Sequence, residues 1–442
     1  MIPNIGLFDV CLGILVLLTT YFIAFRLKDK ISSPTIPFNY FLLSLSSKFI
    51  GAITFVLLSI FYYKSGDTFL YFEIAEELRN HLFTNFSETV HLLITPYDGL
   101  EKLAYHPLQV YHYHIERSTT WVFSRIVFFF NLISFGSYLV SSLLMGLVSF
   151  LGLWLGYKSI NHLYPTTSKL MLIPFFGIPT ALIWSSGILK DTLLMGIIGW
   201  LLFIGVQLFI KKKAMILSSL SFIVCLLLLI SLKPILVITF IPCFIFWGML
   251  HFTSVIKNIN QRFLFRIGFV TLIFTSIVTI SNQLPETSKY KFDKLTLTLI
   301  TYQLDHSRNK GANTNYSLGA IKYNNLSIAK KIPKAINVTF FRPYLWESKN
   351  LPSLFAALES LTLLLSVIFV LLKTKLSFFK NLFSDKNMLF FFFFAILYAT
   401  ISGLTAYNFG ALSRFKIPAI LFLGIGFVIS LNIHNNKSFK NH

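Results

Sequence analysis

The sequence predicts an all-α fold, a polytopic bundle of about eleven transmembrane helices with two large loops on one side. Three observations predict it. Apolar residues make up 55% of 442 positions and the mean hydropathy is +0.71, more apolar surface than a water-soluble domain buries. Apolar runs of about 17 residues or more recur along the chain, each able to cross a hydrocarbon core as a helix. The runs are continuous rather than alternating. That selects helices over a closed barrel, the two structures that satisfy every backbone polar group in lipid.

Taken in order, the first span covers about 7–25 and closes at Arg26. No basic stretch precedes it and its positive charges follow it, so it reads as a span rather than a cleavable leader. The second, about 47–63, holds Lys48 and stops at Lys64. The stretch "WVFSRIVFFFNLISFGS" is apolar but contains Arg125 and Asn131; it reads as an interfacial helix with Arg125 reaching toward headgroups. Span three, about 137–156, ends before Lys158, and span four, about 168–184, ends at "SSG". Span five, about 192–210, is closed by the run Lys211-Lys212-Lys213. Lys233-Pro234 separates span six, about 215–232, from span seven, about 235–252. Arg262 and Arg266 introduce span eight, about 267–283. Lys373 ends span nine, about 354–372; Asp385-Lys386 opens span ten, about 388–404; and Lys416 precedes span eleven, about 417–433. No repeat or low-complexity linker interrupts the series, so one integral membrane domain is expected over 1–442.

Lys and Arg number 38 against 17 Asp and Glu, a formal charge of +21. Scatter among short loops argues against nucleic acid as a partner. The segments 26–46, 157–167, 211–214, 253–266, 373–387 and the tail from 434 carry many of the basic residues and only Asp29 and Asp385 as acids. This is the cytoplasmic signature, and those lysines read as topology signals. It places the amino terminus outside, the carboxyl terminus inside, and the loops at about 64–136 and 284–353 outside. Cys11, Cys225 and Cys243 all fall in apolar runs and read as small core residues, not disulfides or metal ligands.

Four clusters of polar residues gather at the predicted outer ends. In "SGDTFLYFEIAEELRN", Asp67, Tyr71, Ala75 and Leu78 recur at near-helical spacing. Asp67 follows Gly66 directly after a span; it suits a helix start, and equally a general base at the membrane surface. In "IWSSGILKDTLL", Asp191 complements the dipole of the helix it opens, whereas Lys190 has no topological reason to be there and suits a phosphate or a partner carboxylate. In "VTFFRPYLWESKNLPSLFAALES", Arg342, Glu347 and Lys349 precede a span, and Glu359 lies inside it, where an acid needs a cavity or an ionic partner. In "AYNFGALSRFKIP", Asn408, Gly410, Arg414 and Lys416 pack closely, with Arg414 offering a planar fork to phosphate. "LKPIL" adds a minor outer turn at Lys233. The stretch "YHPLQVYHYHIER", with His106, His112, His114 and Glu116, lacks any established metal spacing and reads as interfacial.

"GDTFLYFEIAEEL" resembles the GDxxxYxxxAxxL stretch in the first outer loop of membrane-embedded glycosyltransferases of the C type. "IWSSGILKDTLL", "FFRPYLWE" with "LES", and "NFGALSRFKIP" resemble segments of bacterial polytopic proteins grouped with those enzymes or with O-antigen-polymerase-like proteins of surface-polysaccharide loci. The resemblance implies an enzyme of the bacterial inner membrane. Its donor would be a polyprenyl-phosphate-linked sugar arriving through membrane lipid, and its acceptor a glycan on the outer face. Asp67 would match the catalytic aspartate. Lys190, Asp191, Arg342, Glu347, Asn408, Arg414 and Lys416 would form the substrate-binding set, expected around one outer cavity. The predicted outside amino terminus departs from the C-type pattern, which starts inside. No cofactor is implied, and the sequence leaves a divalent metal open. No nucleotide-binding glycine loop is present in the sequence, as suits a lipid-linked donor. The rival classes are a transporter or flippase of lipid-linked oligosaccharide, marked by charge within spans, and a non-catalytic membrane scaffold.

Overall fold

The computed structural model describes residues 3–100, 117–282, 294–308, 315–320 and 325–438. Among them the chain is predominantly helical and forms no strand, with two isolated β-bridges, Ser33 to Ile36 and Asn315 to Asn408. Nine described helices are long and apolar enough to cross a membrane: Leu7–Arg26, Phe38–Tyr63, Tyr138–Leu163, Lys190–Lys211, Met215–Leu232, Pro234–Val255, Leu351–Thr374, Lys386–Thr405 and Ile417–Asn436. The chain is an integral, multi-pass helical membrane protein.

Among the described residues nine such helices stand where eleven spans were expected: one expected span is overturned, and another lies partly outside the described residues. The predicted span at 168–184 is not one helix. It breaks into Pro165–Thr167, Ser168–Leu172, a π-turn at Ile173–Gly177 and Pro179–Trp184. Pro174 and Pro179 lack an amide proton and clash with the preceding turn, so the hydrogen-bond ladder cannot run through. The predicted span at 267–283 falls in the helix Ile259–Asn282, part of whose side chains lie outside the described residues. The second span also begins earlier than its hydropathy suggests. Pro37 sets the helix start, and Phe38, Phe41 and Leu45 bury a continuous stripe ahead of Lys48.

Two compact units divide the chain. The first comprises Met1–Ile204 with Ile216–Val237, the second Gly205–Met215 with Ile238–His442. In the first unit the Tyr138–Leu163 helix meets the Lys190–Lys211 helix through glycines. A Cβ on Gly152 would lie 2.1 Å from the Gly196 carbonyl oxygen, and one on Gly199 would lie 2.4 Å from that of Gly152. Backbone therefore packs directly on backbone, the small-residue mode of helix association in lipid. The Asp67–Thr84 helix lies against Arg117–Ile133, which buries Trp121, Phe123 and Val127. The Arg125 guanidinium donates to the Leu93 carbonyl at 2.8 Å and sits 5.5 Å from the Trp121 ring.

The second unit is built on aromatic packing. Phe390, Phe391, Phe394 and Phe422 are fully buried, with the Phe394 and Phe422 ring centroids 4.2 Å apart. Ile332–Phe341 presses onto Lys386–Thr405 because Gly403 has no side chain; a Cβ there would sit 2.3 Å from the Ala335 oxygen. Cys225 and Cys243 are buried, as expected, but Cys11 is exposed on the apolar surface of the first helix; all three are free thiols.

Candidate functional site

The first unit contains a cation and a carboxylate on adjoining elements. Gly66, at φ +131°, makes the turn after the second span, a conformation that L side chains rarely adopt. The helix then opens with Asp67 in its first turn, exposed, where the dipole favours a carboxylate. Gly66 rather than Asp67 holds the N-cap position, and the Thr68 hydroxyl shares a hydrogen bond with the Tyr138 hydroxyl at 2.8 Å. Tyr71, Ala75 and Leu78 are buried as their spacing predicts, so the helix is fixed and Asp67 stays at its rim.

Lys190 begins the Lys190–Gly205 helix. Its ammonium donates to the Thr119 hydroxyl at 2.8 Å and lies 5.4 Å from the Tyr71 ring centroid. Tyr71 is one helical turn from Asp67, on the same face. The first two sequence clusters thus meet. Asp191 has a separate partner. Its carboxylate, buried to 8% side-chain exposure, accepts from Lys233 at 2.9 Å. The "LKPIL" turn therefore does more than punctuate the chain.

The turn that presents Lys190 is held by a residue with no place in the expected site. Ser185 to Leu189 are buried although their backbone is irregular. Irregular backbone survives at membrane depth only where protein covers it and satisfies its polar groups. Lys48, 1% exposed, supplies that satisfaction: its ammonium donates to the Ser185 carbonyl, to the Ser185 hydroxyl at 2.8 Å and to the Ser149 hydroxyl at 3.2 Å. Gly51 and Gly146 let the turn close in; their Cβ atoms would lie 2.6 Å from the Leu182 oxygen and 2.9 Å from the Ser186 oxygen. The signal was present in the sequence as Lys48, Gly51, Ala52 and Phe55, one helix face at i, i+3, i+4 and i+7.

The second unit joins the third and fourth clusters. The Arg342 guanidinium forms a two-pronged ion pair with Glu347 and stacks 5.3 Å from the Phe409 ring and 5.7 Å from the Tyr344 ring. Hydrogen bonding to Glu347 holds the Arg342 proton more tightly than usual, against partial burial. Burial alone would raise the Glu347 carboxyl. The Arg342 fork and the Tyr344 amide, at 2.8 Å, outweigh it and hold the group below the usual carboxylate range. The Arg342 carbonyl accepts from Ser360, whose hydroxyl also accepts from Lys416 at 3.2 Å.

Lys416 is turned inward, 1% exposed, with Glu359 at 3.9 Å. Glu359 therefore has the ionic partner its position calls for, the Lys416 ammonium. Asn408 caps the Phe409–Phe415 helix, accepting from the amides of Gly410 at 2.7 Å and Ala411 at 3.3 Å, and donates to Asn315 at 3.0 Å. Arg414 is half-buried in the last turn of that helix.

The expected site residues are thus shared between the units: the expected catalytic Asp67 with Lys190 and Asp191 of the substrate-binding set in the first, and Arg342, Glu347, Asn408, Arg414 and Lys416 of that set in the second. Among the described residues no three His, Cys, Asp or Glu side chains gather as a metal site; His106, His112, His114 and Glu116 lie outside the described residues. Comparison with known protein families, with curated proteins and with solved structures gave no match.

Proposed function

We propose that the chain is a membrane glycosyltransferase or polysaccharide polymerase that takes its sugar from a polyprenyl phosphate. One observation carries this reading: the Lys190 ammonium is fixed by Thr119 and the Tyr71 ring one helical turn from the exposed Asp67 carboxylate. A glycosyl transfer of this kind needs that pair. An acceptor hydroxyl attacks the anomeric carbon, and its proton passes to Asp67 as general base. The bond from the anomeric carbon to the phosphate oxygen breaks, and its electron pair stays on the lipid phosphate. Lys190 stabilises that growing charge, more strongly in a partly desolvated setting than water could. The charge asymmetry of the loops supports the outer face as the side of the reaction.

The test is transfer from a polyprenyl-phosphate sugar to a glycan acceptor in reconstituted membranes. Asp67→Asn and Lys190→Ala are each expected to lower turnover by about 10²-fold or more while leaving thermal melting near wild type. Full turnover in both variants, with an active wild type, removes the pair from the chemistry.

A second reading, a transporter of lipid-linked oligosaccharide, is favoured by one specific feature: the broken helix at 168–189, with Lys48 buried at the break. Translocation of a labelled lipid-linked oligosaccharide across proteoliposomes, with no transfer detected, selects it over the enzyme.

A further inference from the structure

Loops far apart in sequence bring three cations together in the second unit. Arg262 and Arg266 stand one turn apart on the Ile259–Asn282 helix. Arg266 donates to the Thr253 hydroxyl at 3.2 Å. Two residues back, His251 contacts the Asn387 side-chain oxygen at 3.0 Å, which also accepts from Trp247 at 2.8 Å. Asn387 adjoins Lys386, the first residue of the Lys386–Thr405 helix. This chain of contacts ties Arg266 and Lys386 into one cluster, and both guanidinium groups lie within electrostatic range of the Lys386 ammonium.

The balance of charge is uneven. Among the described residues His251 and Asp385 face Lys386, and Asp385 also caps the Lys386 helix by accepting from Met388 at 2.7 Å. Among the described residues no ion pair reaches Arg262, Arg266 or Lys386. Burial and then the neighbouring Arg262 both pull the Arg266 proton affinity down, as mutual repulsion between like charges requires. A fold gains nothing from crowding cations unless an anion joins them. Topology signalling does not need the crowding either, because loop charge counts the same when dispersed.

The surroundings narrow the anion. Phe252, Val255, Phe263, Leu264 and Phe265, in the same two segments, are exposed large apolar side chains. Exposed apolar groups beside a basic cluster at helix ends match a phosphate that carries acyl chains, not a free ion. Arginine forks suit its oxygens.

We propose that Arg262, Arg266 and Lys386 form a headgroup site for an anionic phospholipid, on the side that the loop charges mark as cytoplasmic. The site is independent of glycosyl transfer, and its test has no catalytic readout.

The full-length protein is purified in a neutral detergent and titrated with phosphatidylglycerol, phosphatidylcholine and glycerol phosphate. Binding is read by native mass spectrometry and thermal melting. Phosphatidylglycerol is expected to bind and raise the melting temperature, with phosphatidylcholine and glycerol phosphate far weaker. In R262Q/R266Q/K386Q the affinity for phosphatidylglycerol should fall about tenfold or more. In K373Q/K375Q/K380Q, lysines of the same predicted side outside the cluster, it should hold within about twofold of wild type. If the triple cluster variant fails to fold, R262Q alone serves; Arg262 makes no side-chain hydrogen bond among the described residues, and its loss should weaken binding severalfold. Equal losses in the two triple variants, unchanged affinity in the cluster variants, or equal binding of phosphatidylcholine would each overturn the proposal. Saturation by glycerol phosphate at the lipid's affinity would also overturn it, as the mark of a free-phosphate site.

Discussion

At the scale of single residues, Glu347 shows how a partly buried ion pair couples stability to pH. Its folded carboxyl sits below the usual range while the unfolded group titrates near 4.5. The pair therefore contributes in full above that unfolded value, and the contribution disappears as pH falls through the folded value. Glu347→Gln is expected to cost about 1–3 kcal/mol at neutral pH. That difference should close on acidification through the carboxylate range, as read by thermal melting of both proteins. Lys416 behaves differently because it is enclosed. Burial lowers its pKa and Glu359 pulls the other way. Lys416→Met alone leaves Glu359 buried without its cation and should cost about 3 kcal/mol or more. Adding Glu359→Gln should recover most of that loss. A double variant no more stable than Lys416→Met would show that the two charges are not coupled.

At the scale of elements, the contacts that set helix positions are made by residues with little or no side chain. Gly152 and Gly156 on one helix face Gly196 and Gly199 on another, close enough that added Cβ atoms would meet backbone. Backbone cannot rotate aside as a side-chain tip can. Gly152→Ala and Gly199→Ala should each cost about 1–3 kcal/mol by overpacking, measured as loss of melting temperature in detergent. Gly187→Ala should do likewise, since its Cβ would fall 1.8 Å from the buried Phe55 ring. Wild-type stability in all three would deny the close packing. The broken segment at 168–184 belongs to this scale too. Its apolar composition reads as a span, yet Pro174 and Pro179 divide it into short pieces.

At the scale of the whole molecule, the loop charges predict which segments share a side of the membrane. In a background with Cys11, Cys225 and Cys243 replaced, a thiol at Lys212→Cys should label only from the cytoplasmic side, and one at Ser317→Cys only from outside. Labelling of both from one side would reverse the topology. The helical membrane fold itself was legible in the sequence, because partition into lipid depends on the composition of a contiguous stretch. The Asp67 helix was legible because its buried positions repeat at the helical period. The sequence by itself also determined that Lys190 and Glu359 sit where bare charge is costly, and so that each needs partners. Which partners they have was decided only by the tertiary structure. Lys190 met Thr119 and Tyr71, Asp191 met Lys233, and Glu359 met Lys416; Thr119 lies 71 positions from Lys190, Lys233 lies 42 from Asp191 and Lys416 lies 57 from Glu359. An ion pair depends on separation in space, and lipid hydropathy carries no record of that distance. The helix face that carries Lys48 was legible, but its acceptors were not: they lie on the Ser149 helix and the Ser185 turn, and only folding brings them within reach.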